Sequence, residues 1–435
     1  MMAMGKGHAN GVPLHSSTSL LSMPRLLLLL PTTTYRATAF VEAARQIGVD
    51  LTVASEQRST LEATSFGGLV TLPLQEPTRA ALEAELFHKK YPIAAVVGVD
   101  DDTVVVASWI ALRLGLKGNP LHAAQAARDK ASQRQLLAAA KVPIPRFALH
   151  SIDEDPAALS TSIPYPCVLK PLRLSASRGV IRADNPAQFV AARARVVSIL
   201  AQPDAANCGA AARQFLIEEF IPGYEVAVEG LVVNRRLHVL AIFDKPDPLD
   251  GPFFEETIYV TPSTVPATLQ AAISDCAEQA VRALGITEGP VHAELRYNER
   301  GPWLIELGAR PIGGRCSAVL RFGDHGISLE EIIVRHALGM PIPSLQRERL
   351  AAGVMMIPIP GAGTLREVRG VDEAKRVPLV DDVQITAHPG ERLVPFPEGS
   401  RYPGFIFARG TDPAAVEAAL RQAHGRLQFV MDPAP

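Results

Sequence analysis

A run of five consecutive leucines near the amino terminus constrains the fold more than any other feature of the sequence. The run covers residues 26–30 and ends at Pro31. It is too short for a transmembrane helix, which needs about 20 apolar residues, and it lacks the small-residue cleavage site of a signal peptide. A continuous apolar run of this length is typical of a parallel strand with both faces covered. The sequence therefore predicts a parallel sheet with helices on both sides.

The residues after this strand alternate between helical and strand patterns. Apolar residues from Ala37 to Ile47 fall on one helical face, and Gly48 predicts the end of that helix. Apolar segments at 51–54 and 93–99 predict two further strands. This alternation is typical of a Rossmann-like parallel α/β domain. No Gly-x-Gly-x-x-Gly motif follows the first strand, so the pattern gives little support to a dinucleotide site.

The composition excludes several classes of protein. Lys and Arg number 43 and Asp and Glu number 45 among 435 residues, a net charge of −2, and aromatic residues make up 6%. These values exclude a strongly basic nucleic-acid scaffold and argue against a surface that stacks on bases. The four cysteines are far apart and form no Cys-x-x-Cys pair, which favours a reducing, cytoplasmic setting. We expect neither a nucleic-acid nor a membrane partner.

The chain is long enough for two or three domains, and its patterns change along its length. Residues 1–22 are polar and without periodicity, and we expect a disordered leader there. Hairpin strands dominate the middle of the chain, and Pro341 and Pro343 suggest where that part ends. We predict a parallel α/β domain at 23–118, an α+β domain at 119–345 and a small α+β domain at 346–435.

One predicted hairpin carries a glutamate on each strand. Glu294 precedes the turn at residues 298–302, and Glu306 follows it. If Tyr297 pairs with Trp303, the two glutamates lie opposite each other with Cβ atoms about 4.5–5.5 Å apart. Like charges at this distance destabilise a sheet, so the pattern favours a site for a hard divalent cation. The alternatives are a shifted register or two solvated side chains.

Two other segments suggest nucleotide binding, each with a simpler alternative. Lys170 ends an apolar strand and is followed by a loop of small residues up to Gly179, donors that suit a phosphate chain. An ordinary hairpin with basic side chains is the alternative, and a Walker motif is absent. Farther on, a strand runs into Glu218 and Glu219, and Glu225 opens the next strand. These glutamates could accept from adenine or ribose, although alone the segment fits a solvated turn better.

In this order, the three segments resemble the ATP-grasp superfamily, in which two α+β lobes clamp ATP. The resemblance covers roughly residues 120–340. The motif Met356-Ile357-Pro358-Ile359-Pro360-Gly361 and the segment Gln384-Ile385-Thr386-Ala387-His388-Pro389-Gly390 resemble the C-terminal domain of L-amino-acid ligase relatives. The resemblance implies ATP as a ligand and Mg²⁺ or Mn²⁺ as the metal. It also implies a central two-lobed ATP-grasp domain and an α/β domain before it.

The resemblance also assigns roles to individual residues. Glu294 and Glu306 match the metal-binding acids, and Glu225 matches a ribose-binding glutamate. Arg310 matches the arginine that steadies an acyl phosphate, and Arg296 would offset phosphate charge beside it. The resemblance also implies three sets of nucleotide contacts. Two lysines would contact phosphate (Lys130, Lys170), and three small residues would form a loop over the γ-phosphate (Ser175, Ser177, Gly179). Three further residues would contact adenine (Glu218, Glu219, Ile221).

The sequence departs from the family pattern at two positions, and the residues that would contact the substrate are less clearly identified than those that would contact ATP. Gly308 stands where many relatives have Asn, which leaves the geometry of a second metal ion open, and the phosphate loop carries Arg178 and a single glycine. His292 either contacts substrate or is a satisfied core histidine. Glu255 and Glu256 either contact a substrate amino group or belong to an exposed charged loop. The remaining candidate substrate residues form a segment whose arginine would pair a carboxylate (Gly313, Gly314, Arg315).

The function that the resemblance implies is ATP-dependent ligation of a small-molecule carboxylate to an amine through an acyl phosphate. An amino acid or a small carboxylic acid is the expected substrate, and a homodimer is common among such relatives. One alternative is a purine-biosynthesis-type ligase or carboxylase that acts on a ribonucleotide. The other is a nucleotide-binding regulatory protein that no longer turns over.

Overall fold

The leucine run forms the central part of a parallel sheet. The computed structural model describes residues 23–32, 34 and 36–433, so the predicted leader lies outside the described residues. The sheet has the order β3-β2-β1-β4, and both strands beside β1 run parallel to it. Its strands are Arg25–Leu29 (β1), Asp50–Ser55 (β2), Leu69–Thr71 (β3) and Ala95–Gly98 (β4). Its helices are Ala37–Ile47 (α1), Pro77–Lys90 (α2) and Thr103–Leu114 (α3).

This region confirms the expectation from the sequence. The leucines of β1 are fully buried, since those on one face pack with α2 and α3 and those on the other face pack toward the centre of the molecule. Gly48 ends α1 with φ +68°, as the pattern predicts. Sequence reasoning missed β3, because a strand of three residues has too little periodicity to be seen.

A second, four-stranded sheet forms what we call the small lobe, residues 147–219. Its strands are antiparallel in the order β5-β8-β6-β7, and α7 packs its buried residues on one face. Two helices lead into it, Leu121–Arg128 (α4) and Lys130–Ala139 (α5). The lobe contains Phe147–Ser151 (β5), Pro156–Ser162 (α6), Cys167–Pro171 (β6), Ile181–Ala183 (β7), Pro186–Leu200 (α7), Pro203–Ala206 (α8) and Gln214–Glu219 (β8).

An eight-stranded sheet, which we call the large sheet, extends from the middle of the chain into its C-terminal part. The strand order is β13-β12-β9-β10-β11-β14-β18-β16. The strands are Tyr224–Val233 (β9), Arg236–Lys245 (β10), Ile258–Thr261 (β11), Gly289–Asn298 (β12), Gly301–Gly308 (β13), Ala351–Met356 (β14), Val380–Ile385 (β16) and Gly404–Gly410 (β18). The helices that accompany them are Ala267–Leu284 (α9), Leu329–Ala337 (α10), Val371–Lys375 (α11) and Pro413–His424 (α12).

The C-terminal part also contains a small three-stranded sheet. Gly363–Arg369 (β15) pairs with Arg392–Leu393 (β17) on one side and with Gln428–Pro433 (β19) on the other. The fold class predicted from the sequence is confirmed: a parallel α/β region is followed by α+β regions. The domain limits stay a prediction, and β14, which lies beyond residue 346, pairs with β11 within one sheet. Among the described residues, no helix is long and apolar enough to cross a membrane.

Candidate active site

A cleft with about 600 Å³ of space, part of it open to solvent, lies between the small lobe and the large sheet. It brings together ten of the residues predicted from the sequence. They are Lys130, Lys170, Ser177, Glu218, Glu219, Ile221, Glu225, Glu294, Arg296 and Glu306. Val168, Val180 and Phe254 add an apolar part to the lining. The cleft therefore combines apolar surface with charged groups of both signs.

The first charged group in the cleft is centred on Glu218, at the end of β8. Its carboxylate accepts from Arg134 Nε at 2.6 Å and lies 2.8 Å from Lys170 Nζ, and its side chain is 1% exposed. Burial alone would raise the pKa of Glu218, but the two cations outweigh it and lower the pKa to about 2. The carboxylate is thus held in an ion network, and the adenine contact predicted for Glu218 stays a prediction.

Sequence reasoning missed Arg134, although a signal was present. Arg134 lies four residues after Lys130, so both side chains share one face of α5. Asp129 caps this helix, because its carboxylate accepts from the backbone N–H of Ser132 at 3.0 Å. Lys130 lies 2.9 Å from Glu306 and donates to the carbonyl of Leu174 at 3.0 Å. One helix therefore places Lys130 in the cleft lining and Arg134, which is buried, against Glu218.

The predicted hairpin places Glu294 directly opposite Glu306, but by another route than expected. Tyr297 pairs with Pro302 and not with Trp303, and Asn298 already pairs with Gly301. The predicted pairing of Tyr297 with Trp303 was therefore wrong by one residue. A bulge after Glu294, where Ile305 has no partner, restores the register. Bulges of this kind re-aim side chains, and here the bulge brings the two carboxylates together.

The second charged group in the cleft is centred on Lys245, at the end of β10. Its ammonium lies 2.7 Å from Glu225, 2.5 Å from Glu256 and 3.7 Å from Glu294. One oxygen of each of these three carboxylates lies within 4.8 Å of the others. Sequence reasoning missed Lys245, whose signal is that of Lys170: a lysine at the end of an apolar strand.

The pKa values of this group show an excess of negative charge. Burial and the neighbouring Glu294 raise the pKa of Glu256 to about 7. Burial alone would also raise the pKa of Glu294, but Lys245 and His292 hold it well below its ordinary value. Burial by itself would lower the pKa of Lys245, and the surrounding carboxylates raise it instead. One ammonium therefore serves three carboxylates.

His292 lies between two carboxylates beneath the cleft. Its Nε2 is 3.3 Å from Glu294 and its Nδ1 is 3.7 Å from Glu229, which lies opposite it on β9. Glu229 accepts from the backbone N–H of Ile312 at 3.1 Å. Burial lowers the pKa of His292 and raises that of Glu229. Among the described residues His292 Nδ1 has no hydrogen-bond partner, so His292 is buried but not fully satisfied, and its contact with substrate stays a prediction.

Arg310 is held by a residue from the N-terminal region. Its Nε donates to Asp101 at 3.0 Å, and the other oxygen of Asp101 accepts from Ser175 Oγ at 2.9 Å. A Cβ atom on Gly308 would lie 3.2 Å from Asp101, so this carboxylate fills the space beside the glycine. Sequence reasoning missed Asp101, although three aspartates in a row follow a parallel strand, where such sheets bind ligands.

Some predicted residues have other partners than those expected. Arg315 donates to Gln384, and its guanidinium lies 5.8 Å and 5.9 Å from the rings of Phe405 and Phe407. A Cβ atom on Gly314, the residue after Gly313, would meet Met356 Sδ at 2.3 Å. This segment therefore packs against the C-terminal part of the large sheet.

Arg296 has partners within the protein, whereas Glu255 keeps a buried oxygen atom without one among the described residues. Arg296 lines the cleft, yet it donates to the carbonyls of Leu249 and Gly223 and lies 3.0 Å from Asp250. Burial raises the pKa of Glu255, and one oxygen of its carboxylate is buried without a hydrogen-bond partner among the described residues. The roles predicted for these side chains stay predictions.

Comparison with known proteins adds two family matches. Residues 163–319 match the ATP-grasp domain, and residues 355–432 match the L-amino acid ligase C-terminal domain 2. The chain combines an ATP-grasp domain with an L-amino acid ligase C-terminal domain. The resemblance stated from the sequence is therefore confirmed, and the lobes on either side of the cleft are ATP-grasp lobes.

Three known proteins are similar to this ATP-grasp chain in sequence or structure. The crystal structure of an L-amino acid ligase from Bacillus licheniformis is 25% identical with a TM-score of 0.75, and the match covers 94% of this chain and 99% of that one. Dapdiamide A synthase of Enterobacter agglomerans is 27% identical, covering 76% of this chain and 78% of its own. Alanine–anticapsin ligase of Bacillus subtilis (strain 168) is 29% identical over 53% of this chain and 52% of its own length.

These relatives settle the class of the protein at a coarse level. Two of these three relatives are ligases by name, which confirms the expectation of an ATP-grasp ligase. Solved structures of the same fold include complexes with ATP and with ADP. A cytoplasmic location and a homodimer stay predictions.

Proposed function

We propose that the protein joins a carboxylate to an amine at the expense of ATP and releases ADP and phosphate. The carboxylate substrate is an amino acid or a small carboxylic acid. The observation that supports this most is the cleft itself. Lys130 and Lys170 approach it on one side, and Glu294 and Glu306 meet across the hairpin on the other. Lysines for phosphates and opposed carboxylates for a metal ion are what phosphoryl transfer from ATP needs.

The reaction would have two steps. A carboxylate oxygen of the substrate attacks the γ-phosphorus of ATP, the bond to the β–γ bridging oxygen breaks, and ADP leaves. The amine nitrogen then attacks the acyl carbon, loses a proton, and the carbon–oxygen bond to phosphate breaks. The first step supplies the leaving group that a free carboxylate lacks. The protein has to hold the partners in position and neutralise charge.

The chain's own cations are arranged for that task. Lys130 and Lys170 would bind phosphate oxygens, and each already has one carboxylate partner, so the protein holds them in place before ATP arrives. Burial alone would lower the pKa of Arg310, but Asp101 first and then Glu306 and Glu294 raise it, and the ion pair with Asp101 fixes the direction of the guanidinium. A fixed, fully charged guanidinium is suited to stabilising an acyl phosphate and the tetrahedral intermediate after it.

The residues present fit Mg²⁺ or Mn²⁺. Glu294 and Glu306 would hold the ion, and Glu225 and Glu256 lie close enough to Glu294 to contribute. Carboxylate oxygens are the ligands that these hard cations prefer. When bound, a divalent cation would supply positive charge that offsets the charge of the phosphates. Lys245 balances one of three carboxylates, so the protein leaves negative charge for a cation to neutralise.

The substrate class is inferred from the relatives. Alanine–anticapsin ligase and L-amino acid ligase are named for amino-acid substrates, and the second of these matches nearly the whole chain. The L-amino acid ligase C-terminal domain, which this chain shares, borders the segment from Gly313 to Arg315. We therefore infer that an amino acid supplies the carboxylate, the amine or both.

Release of ADP and phosphate tests this proposal. The protein is incubated with ATP, Mg²⁺ and pooled amino acids, and nucleotide products and phosphate are measured. We expect phosphate release that depends on the amino acids, and pairwise testing would then identify the substrates. No stimulation by any pool would contradict an amino-acid ligase, and formation of AMP and pyrophosphate would contradict the acyl-phosphate route. Stimulation by a ribonucleotide substrate instead would favour the purine-biosynthesis alternative.

A further inference from the structure

A loop of the C-terminal domain touches the phosphate loop, which we define as residues 175–179. The C-terminal loop covers residues 394–399. Its Pro397 carbonyl accepts from the backbone N–H of Gly179 at 3.0 Å, and its Glu398 carbonyl accepts from Arg178 Nε at 3.1 Å. Glu398 also receives two hydrogen bonds from Arg195 on α7, both 2.8 Å. Two hydrogen bonds thus join the C-terminal loop to the phosphate loop, and two more join it to α7 of the small lobe.

Arg178 is the centre of this contact. Arg178 belongs to the predicted phosphate loop, but its side chain is not part of the cleft lining. Its guanidinium binds Asp204 and Gln202, where α8 begins, in addition to the carbonyl of Glu398. Arg178 is 9% exposed, and the N–H groups of its guanidinium donate to these partners within the protein. It fixes the end of the phosphate loop to both the small lobe and the C-terminal loop.

Gly179 can take part only because it is a glycine. Its φ is +73°, in the left-handed region, and an added Cβ would lie 2.8 Å from Pro171 Cγ. The residue joins the phosphate loop to β7, which begins at Ile181. A hydrogen bond at this position therefore sets where the loop ends relative to the cleft.

The 394–399 loop is itself firmly held. The backbone N–H of Gly399 donates to Pro395 at 2.9 Å, and a Cβ atom on Gly399 would lie 1.8 Å from the carbonyl oxygen of Val394. The buried ring of Phe396 lies 5.6 Å from that of Tyr402. The Tyr402 hydroxyl in turn contacts the backbone of Glu256, one of the candidate substrate residues. The loop thus connects the phosphate loop with the substrate side of the cleft.

We propose that the 394–399 loop positions the phosphate loop, so that the C-terminal domain sets how the small lobe closes over ATP. Glu398 and Pro397 are positioning residues in this scheme, because they act through Arg178, Gly179 and Arg195. The inference rests on the proposed function only for its catalytic consequence. A displaced phosphate loop would hold the γ-phosphate less well and admit water to the acyl phosphate.

Amide hydrogen exchange of the full chain tests the contact directly, in the absence of nucleotide and with ADP and Mg²⁺. Glu398→Ala removes both hydrogen bonds to Arg195, and Arg195→Met removes them from the side of the lobe. We expect amides of residues 175–183 to exchange about two- to fivefold faster in either variant, as for loss of a partly exposed ion pair. The double variant should add little, because both changes break the same pair.

Glu367→Gln is the matched control. Glu367 pairs with Arg369 on the surface of the same domain, away from the small lobe. Exchange of residues 175–183 in this variant should equal that of the wild type. Wild-type exchange in both Glu398→Ala and Arg195→Met would overturn the proposal. Faster exchange in both supports it, and because the two variants change different domains, misfolding of one leaves the other as a test.

A second measurement separates this inference from the proposed function. In an active enzyme, Glu398→Ala should raise the KM for ATP and the phosphate released per amide formed, while Glu367→Gln changes neither. A role confined to stability would leave the ratio of phosphate to amide at its wild-type value, which would contradict positioning. A wild-type protein without amino-acid-dependent turnover would contradict the proposed function, and the exchange experiment would still decide whether the contact holds the loop.

Discussion

The two charged groups of the cleft differ in their balance of charge. Around Glu218, two cations surround one carboxylate, and the pKa of that carboxylate falls to about 2. Around Lys245, three carboxylates share one ammonium, and the pKa of Glu256 rises to about 7. The first group has an excess of positive charge, which favours the binding of phosphate. The second group has an excess of negative charge, which favours the binding of a divalent cation.

The difference teaches which side chains are structural and which are available. A buried carboxylate with two cation partners is costly to alter, because removal leaves uncompensated charge. A group with excess like charge is instead destabilised until a cation joins it. The two groups should therefore respond differently to substitution, to pH and to Mg²⁺.

The largest effect is expected from the opposed glutamates. Glu294→Gln and Glu306→Gln each remove a metal ligand, and we expect turnover to fall by about 10³-fold or more, about 4 kcal/mol of transition-state stabilisation. Phosphate release measures the loss, and circular dichroism should show an unchanged fold. Glu299→Gln, at the exposed turn of the same hairpin, is the control and should keep full activity. Wild-type turnover in Glu306→Gln would refute the metal assignment.

The next effect concerns the group around Glu218. Glu218→Gln leaves Arg134 and Lys170 without their anion and should lower the free energy of unfolding by about 3 kcal/mol at pH 7. Because the pKa of Glu218 is depressed to about 2 from 4.5, its contribution is present above pH 4.5 and disappears as the pH falls toward 2. Denaturant titrations between pH 7 and 3 measure this. A difference between wild type and variant that stays constant would contradict the network.

A smaller effect, with a matched pair of variants, distinguishes the two groups by metal. Lys245→Met should destabilise the metal-free protein by about 2 kcal/mol, since three carboxylates lose their counter-charge. Mg²⁺ should recover most of that stability, because its binding replaces the lost charge. Lys170→Met removes a lysine from the other group, and Mg²⁺ should not rescue it. Thermal unfolding with Mg²⁺ or with EDTA measures the stability of each variant with and without the metal ion. Equal stabilisation of the two variants by Mg²⁺ would contradict the difference in charge between the two groups.

The smallest effect belongs to the rim of the cleft. Arg146 lies 2.9 Å from Glu219, but its side chain is 79% exposed. A solvated ion pair contributes little, so Arg146→Ala should change the free energy of unfolding by less than about 0.5 kcal/mol. The KM for ATP should also stay the same. A loss comparable to that of Glu218→Gln would show that exposure is a poor guide to which charges matter in this cleft.

Patterns within short segments were read correctly from the sequence. The leucine run became a buried parallel strand, and the helix after it covers Ala37–Ile47 and ends at Gly48 as predicted. These features follow from periodicity and from caps such as Gly48, which act over a few residues. The opposition of Glu294 and Glu306 was also predicted, yet it depends on a bulge that no pattern in the hairpin reveals.

The sequence by itself determined the succession of elements and the chemistry that they carry to the cleft. Only the tertiary structure decided which charges meet: Arg134 joins Glu218 across 84 residues, and Asp101 joins Arg310 across 209. It also decided that Arg178 binds the C-terminal loop and that Lys245 lies among three carboxylates. The physical reason is that helix and strand patterns are local. Ion pairs between distant segments form only where packing brings those segments together and removes the water between them.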